Sequence, residues 1–153
     1  MQTIHTKGNP RNDNSAMQYF RLANLCWDIA KAKGIVADGR KPIPVPVKML
    51  GNNHGQPTKD GWKTLGVFID KNHLASVDPD KPGIAAVAID EYLLIDGHHR
   101  AARCEELGRK TYEVYLLSPT ESDQCLDANS LRILKKIRAR CRNRGSRKQL
   151  SRK

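Results

Sequence analysis

Long hydrophobic runs are missing from this 153-residue sequence, and aromatic residues make up only 5% of it. No apolar stretch approaches the roughly 18–20 residues that a membrane-spanning helix needs. Residues 1–15 are polar and rich in asparagine, unlike a secretory signal peptide. We therefore expect no membrane partner, a cytoplasmic location and a single domain with a modest core.

Closely spaced cysteine pairs are also missing. Cys26, Cys104, Cys125 and Cys141 lie far apart, and no cysteine pair stands at zinc-ligand spacing with a histidine. In a chain without a secretion signal, cysteines of this kind are expected to be free thiols. The sequence therefore predicts neither a disulfide framework nor a metal site of the zinc type.

Acidic residues are absent from Leu131 to Lys153, although basic residues are frequent there and the whole chain carries a net charge of +11. A block of one sign is typical of proteins that bind phosphate polymers, and such binding weakens steeply with salt. An anionic membrane surface is a weaker alternative because the block has no aromatic anchors. A tail that only improves solubility is the other alternative. We therefore expect DNA as the partner.

The basic block also has a helical pattern. Leu131, Leu134 and either Ile133 or Ile137 recur at helical spacing, which predicts an amphipathic helix with a charged outer face. The helix should give way to a frayed tail from about Asn143. The predicted DNA-contacting side chains are Arg132, Lys135, Lys136, Arg138, Arg140, Arg142, Arg144, Arg147 and Lys148.

Composition divides the chain into three segments: residues 1–40 with a loose start and a helix, residues 41–120 as the core, and residues 121–153 as the basic helix and tail. Proline alternates with β-branched residues over 41–50, which predicts an extended segment or an edge strand. Residues 51–61 form a predicted polar loop whose role the sequence leaves open.

A helix is predicted near the start of the chain. Apolar residues recur at helical spacing over residues 16–33, Ser15 or Asn14 can cap the start, and Gly34 can end the helix. Its methionine, phenylalanine and tryptophan are expected in the core rather than in a ligand site.

The most informative stretch begins at Tyr92. A predicted hairpin of Ile84–Ile89 and Tyr92–Ile95 leads into Asp96-Gly97, and a helix from about His98 to Leu107 follows. Glycine permits the tight turn, and the start of a helix leaves backbone N–H groups unpaired with a partial positive charge. Such a junction attracts phosphate. An ordinary strand–turn–helix whose polar residues face water is the alternative, and the local pattern leaves both open.

The side chains at this junction suit a phosphate. Arg100 can bind one in a bidentate fashion, and His98 or His99 can donate to another oxygen or act as general acid or base. Asp96 either helps to hold Mg²⁺ or caps the helix through its backbone. We predict Asp96, Gly97, His98, His99 and Arg100 as nucleotide-binding residues, and His98 and His99 as the candidate catalytic residues.

The run LLIDGHHRAARCEELGRKTYEVYLL resembles the signature segment of the ParB/sulfiredoxin-like superfamily, and the preceding FIDKNHLASVDPDKPGIAAVAID resembles the lead-in found in small ParB-like proteins. The likeness covers roughly residues 65–118. It implies an α+β fold with a small mixed sheet and flanking helices, to which this chain adds an N-terminal helix and a basic C-terminal helix. It also implies a nucleotide pocket, for ATP or CTP with Mg²⁺ as a possible companion.

Each branch of that superfamily differs from this motif at one position. ParB-type partition proteins bind CTP with Gly-x-Arg-Arg, and here His99 replaces the first arginine. Sulfiredoxins use Gly-Cys-His-Arg, and here His98 stands at the position of the nucleophilic cysteine, so the resemblance implies no sulfiredoxin reaction. Free-serine kinases carry Asp-Gly-His-Thr-Arg, and here His99 replaces the threonine. Other members are DNA-binding or nuclease proteins of mobile elements and phages.

Two functions from different classes stay open. The first is a nucleotide-responsive DNA-binding module, which the basic block favours. The second is an enzyme of the same fold, either a metal-dependent nuclease or nucleotide hydrolase or a phosphotransferase, which the paired histidines favour. A homodimer is also open.

Overall fold

A computed structural model describes the backbone of residues 18–50, 61–64 and 67–150, and the side chains of residues 18–50 and 67–145. The fold is α+β. The strands are β1 (Tyr19–Leu22), β2 (Leu25–Asp28), β3 (Ile43–Pro46), β4 (Gly61–Thr64), β5 (Val67–Asp70), β6 (Gly83–Val87), β7 (Tyr92–Asp96) and β8 (Thr111–Leu116). The helices are α1 (Ile29–Val36), α2 (Lys71–Leu74), α3 (His98–Glu106), α4 (Pro119–Gln124) and α5 (Ala128–Leu150), with a 3-10 turn at Val47–Met49.

The central sheet has the strand order β3-β8-β6-β7. β6 runs parallel to β8, whereas β3 pairs with β8 and β6 pairs with β7 in antiparallel fashion. The predicted β6–β7 hairpin is therefore confirmed. β3 lies at one edge of the sheet, as the prolines at 44 and 46 predicted, because proline has no N–H for a second neighbour.

Hydrophobic side chains fill both faces of this sheet. Successive residues of β6 alternate between the two clusters, Ile84 and Ala86 in one and Ala85 in the other. The larger cluster joins the sheet to the β1–β2 hairpin, α1, α4 and α5, and it includes Trp27 and Leu134. The smaller cluster joins the sheet to α3 and the 3-10 turn. All three segments distinguished by composition therefore contribute to one continuous body.

The predicted helix over residues 16–33 is wrong for residues 18–28 and correct for residues 29–33, which lie in α1. Residues 19–28 form the β1–β2 hairpin, with Phe20 opposite Trp27 and ring centroids 5.9 Å apart. A helix begins only at Ile29, where the carboxylate of Asp28 accepts from the N–H of Lys31. It continues through the glycine at position 34 to Val36, so the predicted stop was also wrong.

The structure of the C-terminal segment matches the sequence prediction at the start of the segment but not at its end. α4 has a capping box in which Ser118 and Glu121 each satisfy the other's backbone N–H. Leu134 anchors α5 in the core, as predicted, but the helix continues to Leu150 instead of fraying near Asn143. Of the predicted loop at 51–61, residues 51–60 lie outside the described residues, and Gly61 begins β4 instead. The four cysteines are free, as expected, with only Cys141 exposed.

Candidate functional site

The turn between β7 and α3 is built on Gly97. This residue has φ +101°, a left-handed conformation that favours glycine, and it stands directly before the helix with no side-chain cap. A Cβ at this position would lie 2.6 Å from the Tyr112 hydroxyl and 3.0 Å from the Cα of Gly83. The glycine is therefore required by the close packing behind the turn, and the first N–H groups of α3 receive no capping side chain.

A cavity of about 440 Å³ opens in front of this turn. All five predicted nucleotide-binding residues line it, together with three basic side chains that the sequence had not singled out: Lys33 of α1, His73 of α2 and Lys81. Asp78 adds a second carboxylate to the wall beside that of Asp96. Lys33 belongs to a segment predicted as core helix, so no sequence pattern placed it near the motif.

Arg100 is already bound within the protein. One terminal nitrogen donates to the Pro82 carbonyl at 2.7 Å, and the other donates to the Asp96 carboxylate at 2.8 Å. Asp96 accordingly neither caps α3 nor stands free, since its carboxylate pairs with Arg100 one turn along the chain. The guanidinium holds the turn before β6 against the start of α3, and only a rearrangement would turn it towards a phosphate.

We predict that Arg100→Ala lowers the free energy of unfolding by about 2–3 kcal/mol, because it removes charge-assisted bonds and leaves the largely buried Asp96 unpaired. The matched control on the same helix is Arg103→Ala, which breaks a more exposed pair with Glu106 and should cost less than about 1 kcal/mol. Urea unfolding of both variants measures this. Equal losses would show that the Arg100 bonds contribute nothing beyond those of a surface pair.

His98 borders the cavity but is buried in the core. The residue is 6% exposed, its ring stacks on Phe20 at a centroid distance of 5.1 Å, and its buried Nε2 has no hydrogen-bond partner among the described residues. Burial lowers the pKa of His98 to about 4, which the nearby Asp96 carboxylate opposes only in part. The ring is therefore neutral at pH 7, and its position favours packing over contact with a phosphate.

This burial predicts a pH dependence of stability. Because the folded pKa lies below the ordinary value of 6.5, the unfolded chain takes up a proton first as the pH falls. Stability should thus be complete above pH 6.5 and decline by up to about 3 kcal/mol towards pH 4. His98→Phe, which keeps a ring beside Phe20, should remove most of this decline. Urea unfolding at pH 7 and pH 4.5 checks it, and an unchanged decline in the variant would contradict the assignment.

His99 and His73 form an accessible pair at the cavity. Their rings meet edge to face with centroids 5.0 Å apart. The Asp70 N–H donates to Nε2 of His99 at 3.4 Å, which leaves the ring proton of neutral His99 on Nδ1. Burial first, and then the neighbouring His73, lower the pKa of His99. The pair therefore places the N–H donor of neutral His99 and the imidazole of His73 beside the turn between β7 and α3.

The predicted DNA-contacting residues all lie on α5 but differ in their surroundings. Arg138 is bound to the body: it donates to the Asp123 carboxylate at 2.9 Å and to the Ala88 carbonyl at 2.8 Å. Arg132 donates to the Asn129 side chain on the exposed surface. The exposed members are Arg132, Lys135, Lys136, Arg140, Arg142 and Arg144, while the side chains of Arg147 and Lys148 lie outside the described part.

The described side chains in the second half of α5 are all exposed. They are residues 139 to 145, and they include Cys141, which shares the helix face of buried Leu134. Cys141 and Arg142 line a cavity together with the β6–β7 turn, so one side of the helix faces the body of the protein. A Cβ at Gly145 would meet nothing within 4 Å among the described atoms. The other exposed side chains of this stretch are therefore available to a partner.

The described residues contain neither a cluster of metal ligands nor a membrane-spanning helix. No group of three or more histidine, cysteine or acidic side chains in that part of the chain could hold a metal ion. None of its helices is both long and apolar enough to cross a bilayer. Comparisons with protein-family models, with curated proteins and with solved structures found no match for this chain.

Proposed function

We propose that the protein binds DNA through α5 and holds a nucleotide phosphate in the cavity at the start of α3. The observation that carries the proposal is the stretch of α5 from 139 to 145, in which every residue is exposed, none is acidic, and Arg140 and Arg144 present their charges to solvent. Such a helix fits the major groove of a duplex, and its basic side chains can reach phosphates on both sides of the groove.

The exposed helix also explains why the basic residues are so concentrated. Because residues 139–145 are all exposed, burial of side chains contributes little to the stability of these turns of α5. Neutralisation by DNA phosphates would stabilise those turns and release counterions. Arg138 is excluded from the proposed contacts because Asp123 and Ala88 already occupy its donors.

The cavity supports the nucleotide part of the proposal. Lys33 and Lys81 add positive charge to the uncapped start of α3, and Asp96 is already neutralised by Arg100. The Lys33 ammonium donates to the uncharged Gln18 side chain at 2.7 Å, so its charge is not neutralised there. The lysines of the site thus come from outside the His-His-Arg motif. The likeness to ParB-type sequences, in which this turn holds nucleotide phosphates, supports the same assignment, with ATP or CTP as the ligand and Mg²⁺ as its companion.

Two measurements test these parts separately. Fluorescence anisotropy with a labelled duplex, repeated from 50 to 300 mM salt, should show affinity that falls linearly on a log–log plot. Calorimetry with ATP and with CTP, with and without Mg²⁺ and duplex, should show a site that weakens in Lys81→Ala. Salt-independent or absent DNA binding would reject the first part, and no heat with either nucleotide would reject the second.

A second candidate function is an enzyme of the same fold, and the His73–His99 pair is the observation that favours it. A neutral imidazole beside a bound phosphate can act as a general base. Turnover of ATP, CTP or DNA in the presence of Mg²⁺ or Mn²⁺, lost in His73→Ala at unchanged binding, would support this function. Absence of turnover in the wild type would reject the enzyme and leave the DNA-binding module as the proposed function.

A further inference from the structure

The two edges of the central sheet are protected to different degrees. β3 carries two prolines, which have no N–H to donate to a further strand on its outer side. β7, at the opposite edge, has the sequence YLLID with neither proline nor lysine, and no strand in the described part of the chain pairs with its outer side. Apolar edges without such protection readily accept another strand.

A groove of about 630 Å³ follows this edge. Met49 is 73% exposed, Tyr92 51% and Ile89 41%, so three of the seven exposed large hydrophobic side chains in the described part gather at one groove. Leu22 and Leu93 also contribute to its wall. We call this surface the β7 groove.

The β7 groove contains charges of both signs. Lys48 lies on one wall, and Asp90 and Glu91 lie in the β6–β7 turn at one end. On a chain with net charge +11, most exposed surfaces would repel a second copy, whereas this one carries its own counter-charges. A patch that holds both signs can complement itself across a two-fold axis, because each residue then meets its opposite in the other copy.

We propose that a second copy of this chain docks on the β7 groove, with the β7 strands of the two copies paired antiparallel and Lys48 facing the partner's Asp90 and the partner's Glu91. The backbone groups on the outer side of β7 gain partners, and Met49, Ile89 and Tyr92 become covered. The two sheets join into one sheet across the interface.

The proposed dimer has a consequence for α5 that rests on the proposed function. Antiparallel pairing at a sheet edge places the two-fold axis perpendicular to the sheet, so equivalent helices of the two copies lie on the same face. Arg138 fixes α5 beside Ala88, at the end of the β6–β7 hairpin next to the groove. The dimer therefore presents two basic helices to one duplex, and linked sites bind more tightly than single ones.

Sedimentation equilibrium of the full chain tests the proposal. The wild type should be a dimer at micromolar concentration. Tyr92→Lys should raise the dimer dissociation constant at least tenfold, whereas Phe68→Lys, at a hydrophobic side chain of similar exposure (41%) on β5, should leave it unchanged. Circular dichroism and urea unfolding show that each variant is folded.

Charge exchange makes the test specific to the pairing. Lys48→Glu and Glu91→Lys should each weaken the dimer, and the double variant should restore most of the loss because the opposite charges meet again. A monomeric wild type, or additive losses in the double variant, would overturn the inference. DNA affinity is measured on the same samples: a monomer that still binds DNA overturns the dimer alone, and absence of DNA binding in a dimer overturns only the proposed function.

Discussion

Replacing Gly97 by alanine should lower the free energy of unfolding by about 2–5 kcal/mol, a large share of the 5–15 kcal/mol typical of a domain. Two effects add at this position. The backbone at φ +101° strains any residue with a Cβ, at about 1–2 kcal/mol. The new methyl group would also lie 2.6 Å from the Tyr112 hydroxyl, and overpacking of this kind costs about 1–3 kcal/mol.

Two comparison variants separate the backbone strain from the overpacking. Gly108 has φ +72° with no described atom within 4 Å of an added Cβ, so Gly108→Ala should show the backbone cost alone, about 1–2 kcal/mol. Tyr112→Phe removes the hydroxyl that the methyl group meets, and with it a 2.9 Å bond to the Lys81 carbonyl. Gly97→Ala should therefore cost less in the Tyr112→Phe background than in the wild type.

Urea unfolding of the four single and double variants measures these differences. If Gly97→Ala lowers the free energy of unfolding no more than Gly108→Ala does, the added methyl group meets no steric conflict with Tyr112. Glycine would then be required at position 97 only for its positive φ. The distinction bears on function, because a rigid turn fixes the N–H groups of α3 and the cavity in front of them.

The central hairpin and its following helix could be predicted because their signals are local. Two apolar runs flank a two-residue turn, Gly97 marks the next turn, and Gly108 ends the helix with a positive φ. The same local signals place the Asp-Gly-His-His-Arg motif at the turn, but they do not predict that His98 is buried or that Arg100 pairs with Asp96. Leu107 is 48% exposed, since the helix ends there.

The N-terminal hairpin could not be predicted because its deciding contacts are distant in sequence. Apolar residues in this segment fit helical spacing about as well as alternation. The choice is made by Trp27, which bridges to Leu126, and by Asp28, whose N–H donates to the Cys125 carbonyl at 2.8 Å. Lys33 lies on α1, whose position depends on this hairpin. Its place in the cavity therefore could not be predicted from the sequence either.

Neutralising three exposed residues of α5 should have the largest effect on DNA affinity. Lys136→Gln, Arg140→Gln and Arg144→Gln together remove three charges from side chains that are exposed in the folded protein. Each lost phosphate contact lowers the log–log salt slope by about 0.9, so the slope should fall by about 2.7 and the affinity by about 10²-fold at 0.15 M salt. Anisotropy with a labelled duplex over a salt series measures both quantities.

The control carries the same change in net charge away from α5. Lys31→Gln, Lys41→Gln and Lys71→Gln lie on exposed positions of α1, the segment before β3, and α2. If the duplex contacts α5, the control should keep the wild-type slope, because remote charges act only through a screened field over about 8–10 Å. Equal losses in both triple variants would mean that net charge alone attracts the DNA and that α5 is no interface. A reduced slope confined to the α5 variant would locate the released counterions, and therefore the phosphates, on α5.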